Sequence, residues 1–90
     1  MKLPRIKIAV IGVGYLGRLH AQKYASIPNV ELIGVCDANI EKARAVASEC
    51  STVAFASYES FYGHADAVSV VTPTESHHRV AMEMLSHGID

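Results

Sequence analysis

Apolar residues fall along this chain in short runs, which alternate with longer segments where they recur every three or four positions. The short runs predict four β-strands, over residues 6–11, 30–36, 52–56 and 66–71. The longer segments predict helices over residues 15–26 and 40–49, a helical turn over 58–62, and a final helix between Thr74 and Gly88.

Polar residues mark the helix boundaries. Asn39, Ser57 and Thr74 are placed to cap the helical segments that follow them, and Gly88 stops the last one. The helical spacing predicts the faces that pack on the sheet: Leu16, Leu19, Lys23 and Tyr24 in the first helix; Ile40, Ala43, Ala47 and Cys50 in the second; His77, Val80, Ala81, Met84 and Leu85 in the last.

This alternation is typical of an α/β fold, a doubly wound parallel sheet of the Rossmann type with right-handed crossovers. We expect the strand order 3-2-1-4. Ile89 and Asp90 resemble the start of a fifth strand, so we expect residues 1–90 to form part of a nucleotide-binding domain whose sheet is truncated before strand five.

Composition narrows the class of protein. Half of the 90 residues are hydrophobic and the net charge is −1, so a globular core is expected, without a basic surface for nucleic acid or membrane lipid. No apolar run has the length of a membrane span. The N-terminal Lys2 and Arg5 precede glycines instead of a cleavage site, which argues against a signal peptide. The two cysteines, Cys36 and Cys50, are expected to be small reduced side chains, as in a cytoplasmic protein.

The candidate chemistry lies where the first strand ends. Gly12-Val13-Gly14-Tyr15-Leu16-Gly17 is a GxGxxG motif between a predicted strand and a predicted helix. Gly12 would allow the tight turn, Gly14 would let a pyrophosphate approach the backbone, and Gly17 would let the helix pack closely. The phosphates would meet the N–H groups of the helix N-terminus at Tyr15 and Leu16. The alternative is a glycine-rich turn that binds nothing.

Asp37 follows the second strand, 20 residues after Gly17. This spacing places a carboxylate where it accepts hydrogen bonds from the adenosine ribose hydroxyls of a dinucleotide and repels a 2′-phosphate. It therefore favours NAD over NADP as the cofactor. The alternative is an aspartate that only caps the helix beginning near residue 40.

The segment from Val68 to His77, with Thr72-Pro73-Thr74 at its centre and Ala81 and Gly88 after it, resembles the glucose–fructose oxidoreductase/inositol dehydrogenase (Gfo/Idh/MocA) family. The first strand with its glycine motif, His20-Ala21 and the pair Cys36-Asp37 are similar to the same family, so the resemblance covers essentially the whole chain. It implies an oxidoreductase that binds NAD or NADP and acts on a hydroxyl of a sugar, inositol or related compound.

The resemblance also implies where the rest of the enzyme lies. Family members carry a catalytic lysine in a Glu-Lys-Pro sequence after strand five, and a C-terminal substrate domain, and neither is in this chain. We therefore expect no catalytic residue here, and a parent protein that forms a homo-oligomer. Ala38 stands where NADP-binding relatives often have an arginine, which again favours NAD.

The resemblance and the position at a strand end together place Thr72, Pro73 and His77 beside the nicotinamide. Pro73 could instead only fix the exit of the strand, and His77 could pack or cap. Arg18 could meet a phosphate or remain solvated. His77 and His78 point about 100° apart on a helix, so no metal site is expected. A second hypothesis for the chain is a non-catalytic, nucleotide-sensing Rossmann domain, such as those that regulate ion-transport systems.

Overall fold

The computed structural model describes residues 5–72 and 74–89, without the side chains of residues 74–78. Strands and helices alternate as the sequence predicts. In chain order they are β1 (Ile6–Ile11), α1 (Tyr15–Ala25), β2 (Val30–Cys36), α2 (Ile40–Cys50), β3 (Ala54–Phe55), a 3-10 helix (Tyr58–Phe61), β4 (Ala67–Val70) and α3 (Thr74–Ser86).

The four strands form one parallel sheet in the order β3-β2-β1-β4, which confirms the predicted topology. β1 lies in the centre, with Ile11 paired to Cys36 of β2 on one side and to Val70 of β4 on the other. The chain therefore leaves three neighbouring strands at the same edge of the sheet, where open α/β folds bind their ligands.

Each face of the sheet has its own hydrophobic cluster, because alternate residues of β1 point to opposite sides. Val10 packs under α1 and α2, with a cluster completed by Val13, Ala21, Val35, Ala43, Val46 and Ala47. Ala9 and Ile11 pack under the 3-10 helix and α3, with a cluster that includes Cys36, Phe61, Ala65, Val80, Met84 and Ile89. The fold is thus doubly wound, as predicted.

The buried face of α1 differs from the predicted one. Leu16 and Leu19 are 54% and 43% exposed, while Gly17 and Ala21 are buried against the sheet. The helix approaches the sheet through its smallest side chains, so the close contact excludes the large apolar ones. The face of α2 is as predicted, with Ala43 and Ala47 buried.

Smaller differences lie at the ends of elements. β3 has two residues instead of five, and α3 begins at Thr74, which makes this threonine the first helical residue and not the cap. Ile89 lies in no strand, and its side chain is only 2% exposed in the core. Asn39 and Ser57 do cap their helical segments, accepting hydrogen bonds from the amides of Glu41 and Glu59.

Candidate functional site

A cleft of about 780 Å³ opens at the carboxyl edge of the sheet. It lies between the ends of β1, β2 and β4, the first turn of α1, and the segment that follows β3. The predicted site residues that line it are Gly12, Gly14, Tyr15, Leu16, Gly17, Asp37 and Thr72. Segments 20 to 60 positions apart in sequence are therefore brought to one site.

Two glycines of the motif are required by packing within the protein. Gly12 has φ +93°, and a β-carbon on it would lie 2.3 Å from the carbonyl oxygen of Val71. A β-carbon on Gly17 would lie 1.8 Å from the carbonyl oxygen of Gly12. Any side chain at either position would therefore collide with backbone, so these glycines set the distance between β1, β4 and α1.

The middle glycine is different. A β-carbon on Gly14 would meet no atom of the described residues within 4 Å, and Gly14 has an ordinary φ of −65° as the residue that precedes α1. Tyr15, at the start of α1, is 81% exposed. The packing of the chain therefore does not explain a glycine at position 14, whereas the approach of a ligand to the backbone would.

The N-terminus of α1 opens into this cleft without a side-chain cap or an acidic residue in its first turn. The first N–H groups of a helix have no acceptor within it, and the helix dipole adds partial positive charge there. Beside Gly14, this end of α1 can bind a phosphate.

Asp37 lines the cleft, and its carboxylate accepts hydrogen bonds from two backbone amides. The Val13 amide donates to Oδ2 at 3.0 Å, and the Asn39 amide donates to Oδ1 at 2.8 Å. The cap of α2 is Asn39, not Asp37. The helix-capping alternative for Asp37 is therefore wrong, because its carboxylate joins the glycine loop to the turn after β2.

Thr72 follows β4, the third of the strands whose ends form the cleft. Its hydroxyl oxygen is buried and has no hydrogen-bond partner among the described residues. A buried polar atom without a partner costs free energy, so this hydroxyl is suited to pair with a polar group of a ligand. Two predicted partners in this wall, Pro73 and the side chain of His77, lie outside the described residues.

Cys36, which precedes Asp37, lies buried in the wall of the cleft. Burial, and then the negative charge of Asp37, raise the pKa of its thiol to about 11. The thiol stays protonated near neutral pH and is a poor nucleophile.

Four polar residues of the cleft were missed by the sequence reasoning: Lys42, Ser57, Tyr58 and Arg79. Ser57 and Tyr58 come two and three residues after the end of β3. The rule that ligands bind at the carboxyl ends of parallel strands, applied to the third strand as well, would have found them. Tyr58 donates a hydrogen bond to Glu83 of α3, which ties the segment after β3 to that helix and raises the pKa of Tyr58 to about 12.

Arg18 and two histidines make contacts outside the cleft. Arg18 makes a two-pronged ion pair with Glu49, at 2.9 Å from Nε to Oε1, which joins α1 to α2. The ring nitrogen Nδ1 of His20 lies 2.8 Å from the hydroxyl oxygen of Ser69. His87 stacks on Tyr62, with ring centroids 3.7 Å apart.

Within residues 5–72 and 74–89, no helix combines the length and apolar character needed to cross a membrane. Among the side chains of residues 5–72 and 79–89, no group of three or more histidines, cysteines or acidic residues is arranged to hold a metal ion.

Comparison with known proteins gives consistent results. A UDP-N-acetylglucosamine 3-dehydrogenase of Acidithiobacillus ferrooxidans is 48% identical over 84 residues, which are 93% of this chain and 26% of that enzyme. A crystal structure of that dehydrogenase superposes with a TM-score of 0.88 at 46% identity, over 97% of this chain and 28% of the other. The chain thus spans about a quarter of the length of this relative.

A second structure, of scyllo-inositol dehydrogenase from Lactobacillus casei with bound NAD(H) and scyllo-inositol, superposes with a TM-score of 0.84 at 26% identity. It is matched over 94% of this chain and 26% of the other. Finally, residues 6–90 match the model of the Gfo/Idh/MocA oxidoreductases, described by their NAD-binding Rossmann fold. The chain therefore belongs to this oxidoreductase family, and its parallel sheet with helices is the family's NAD-binding Rossmann fold.

Proposed function

We propose that this chain is the cofactor-binding part of an NAD(P)-dependent oxidoreductase that acts on a hydroxyl of a sugar, inositol or related small molecule. The observation that carries the proposal is the difference between the three glycines. Gly12 and Gly17 are required by packing, but Gly14 leaves open space beside the N-terminus of α1. A dinucleotide pyrophosphate fits this arrangement because it needs close approach to backbone amides.

In this proposal the residues of the cleft bind and orient the cofactor. The amides of Gly14, Tyr15 and Leu16 contact the pyrophosphate, while Gly12 and Gly17 hold the turn. Asp37 accepts from the ribose hydroxyls. When bound, the nicotinamide ring exchanges a hydride with a carbon of the substrate.

Thr72 extends the proposed cofactor site along the end of β4. Its hydroxyl has no partner in the part of the chain that the structure describes, which supports a polar contact on the nicotinamide side of the cleft. Pro73 and His77 stay predicted members of this wall. None of the residues that line the cleft is assigned to proton transfer with substrate.

We propose NAD as the preferred cofactor, because a 2′-phosphate would face the negative charge of Asp37 and no arginine follows at position 38. Lys42 also lines the cleft and opposes this preference, since its ammonium group attracts any phosphate. We expect Asp37 to dominate, because its carboxylate is held in a fixed orientation by two amides.

The substrate class rests on the relatives, which act on an N-acetylglucosamine nucleotide and on scyllo-inositol. We propose that the protein acts in the cytoplasm as a homo-oligomer, consistent with two free cysteines and several exposed apolar side chains. Sedimentation of the full-length protein tests the assembly, and a monomer at micromolar concentration would contradict it.

Hydride transfer by the full-length protein tests the function. NADH formation is followed with NAD and a panel of nucleotide sugars, free sugars and inositols. Turnover with one of these supports an oxidoreductase. Tight nucleotide binding without turnover on any of them would instead support the nucleotide-sensing regulatory domain.

A further inference from the structure

The side chain of Asp37 continues the pairing of β1 with β2 beyond the ends of the two strands. The Gly12 amide still donates to a backbone acceptor, the Cys36 carbonyl, at 2.7 Å. One residue later the Val13 amide donates to the Asp37 carboxylate at 3.0 Å. The carboxylate thus replaces a backbone carbonyl as the hydrogen-bond acceptor where the backbone of β2 turns away towards α2.

The same carboxylate also accepts a hydrogen bond from the residues that follow it in the chain. The Asn39 amide donates to Oδ1 at 2.8 Å, so each carboxylate oxygen accepts one backbone N–H. A carboxylate has about four acceptor sites on its two oxygens. Two therefore remain, one on each oxygen, and these suffice for the two hydroxyls of a ribose.

We infer that Asp37 is a positioning residue for the phosphate-binding loop, in addition to the ribose contact assigned to it above. Val13 lies between Gly12 and Gly14, so fixing its amide fixes the direction in which Gly14 presents its backbone. This inference rests on the proposed function. It means that a change at Asp37 weakens binding of the phosphates even when the ligand has no ribose hydroxyl.

Two ligands separate the two roles. ADP carries the pyrophosphate and both ribose hydroxyls, whereas 2′,3′-dideoxy-ADP keeps the pyrophosphate and lacks both hydroxyls. The variant is Asp37→Ser, whose short hydroxyl can still accept from the Asn39 amide in a local turn but does not reach Val13. Binding of both ligands is measured by titration calorimetry on the full-length protein.

Glu41→Gln is the matched control, because it removes one carboxylate near the start of α2 without touching the loop. The Glu41 side chain is exposed and pairs only loosely with Arg44, at 3.6 Å. Removing negative charge should by itself favour an anionic ligand, so a loss of affinity in Asp37→Ser cannot come from charge.

We expect Asp37→Ser to bind 2′,3′-dideoxy-ADP about tenfold more weakly than the wild type, the size expected for loss of a charge-assisted hydrogen bond. Glu41→Gln should bind it as well as the wild type or slightly better. If Asp37→Ser weakens ADP alone and leaves 2′,3′-dideoxy-ADP unchanged, the positioning role is wrong and the ribose contact stands. If the wild type binds neither ADP nor NAD, the proposed function itself fails.

Amide hydrogen exchange gives a readout that does not depend on a ligand. The Val13 amide should exchange slowly in the wild type and at least about tenfold faster in Asp37→Ser, because its acceptor is lost. Should the variant not fold, the wild type alone decides. A Val13 amide that exchanges at the rate of an unprotected loop amide would overturn the inference.

Discussion

The carbonyl oxygen of Gly12 occupies the space that a side chain on residue 17 would need, 1.8 Å from the ideal position of its β-carbon. The turn that leaves β1 and the first turn of α1 are therefore packed backbone against backbone. This contact sets how closely α1 lies on the sheet, and it makes the third glycine of the motif a requirement of the fold.

Gly17→Ala should therefore destabilise the protein. The added methyl group can be accommodated only if the helix or the Gly12 turn moves, which typically costs about 1–3 kcal/mol. We expect a lower free energy of unfolding in urea and a lower melting temperature. A variant as stable as the wild type would show that this backbone contact is looser than the structure has it.

Gly14→Ala should have the opposite profile. Its β-carbon would enter open space at a φ that alanine adopts readily, so stability should change by no more than about 0.5 kcal/mol. Affinity for NAD should fall at least about tenfold, because the methyl group stands where the pyrophosphate approaches. Melting curves and nucleotide titrations on the same preparation check both halves. Unchanged affinity would place the phosphates elsewhere.

Cofactor preference is expected to follow the charge at Asp37. Wild-type protein should bind NAD more tightly than NADP. The double change Asp37→Ser with Ala38→Arg should move the preference towards NADP by relieving repulsion and adding a phosphate partner. Because Asp37 also holds the Val13 amide, its loss should weaken binding of both nucleotides. The double variant should therefore shift its preference towards NADP by more than it gains in affinity for NADP. Dissociation constants for both nucleotides decide this, and tighter wild-type binding of NADP would contradict it.

The Tyr58–Glu83 contact predicts a dependence of stability on alkaline pH. The hydrogen bond to Glu83 and then burial raise the pKa of Tyr58 from 10.0 to about 12 in the folded protein. A raised pKa means that folding favours the protonated phenol. Its stabilising contribution is therefore complete below about pH 10 and is lost as the pH rises towards 12.

Alkaline titration of tyrosinate absorbance measures this directly, with Tyr58→Phe identifying the signal by difference. Glu83→Gln should shift the Tyr58 transition down towards its ordinary value, because the charged acceptor is gone. If Tyr58 titrates in the wild type with the same pKa as in Glu83→Gln, the hydrogen bond between Tyr58 and Glu83 does not form in solution.

The 90 residues by themselves should catalyse no hydride transfer. Oxidation of a hydroxyl needs a group within hydrogen-bond reach of its proton and a pocket that aligns its carbon with the nicotinamide. Tyr58 is bound to Glu83 and the Cys36 thiol stays protonated, so neither is suited to this work. The purified chain is assayed with NAD and a panel of sugars and inositols. Turnover above background would reveal a catalytic group within these 90 residues and contradict the prediction.

The sequence predicted the order of the strands, and most of the residues it proposed for a site do line the cleft, because the strand ends and the glycine motif are local patterns. β1 and β2 have the predicted bounds, and the glycine motif and Asp37 come together because parallel strands end at one edge. The buried face of α1 was predicted wrongly because a hydrophobic pattern assigns the large apolar side chains to the buried face. At a backbone-to-backbone contact, Gly17 and Ala21 are the ones that fit.

Contacts between distant segments could not be predicted in this way. The bonds from Val13 to Asp37 and from Tyr58 to Glu83 join residues 24 and 25 positions apart, and no spacing rule relates them. Lys42 and Arg79 enter the cleft through the rotation of α2 and α3 about their axes. That rotation is set by packing against the sheet and not by the pattern of either helix alone.

The unequal roles of the three glycines bear on how the motif should be interpreted across evolution. Under the proposed function, folding constrains Gly12 and Gly17, whereas binding of the nucleotide constrains Gly14. A descendant that abandons the nucleotide is free to lose Gly14 while it keeps the other two. Homologous domains that keep Gly12 and Gly17 and have another residue at position 14 are therefore the ones in which to search for proteins that share this fold and have a different function.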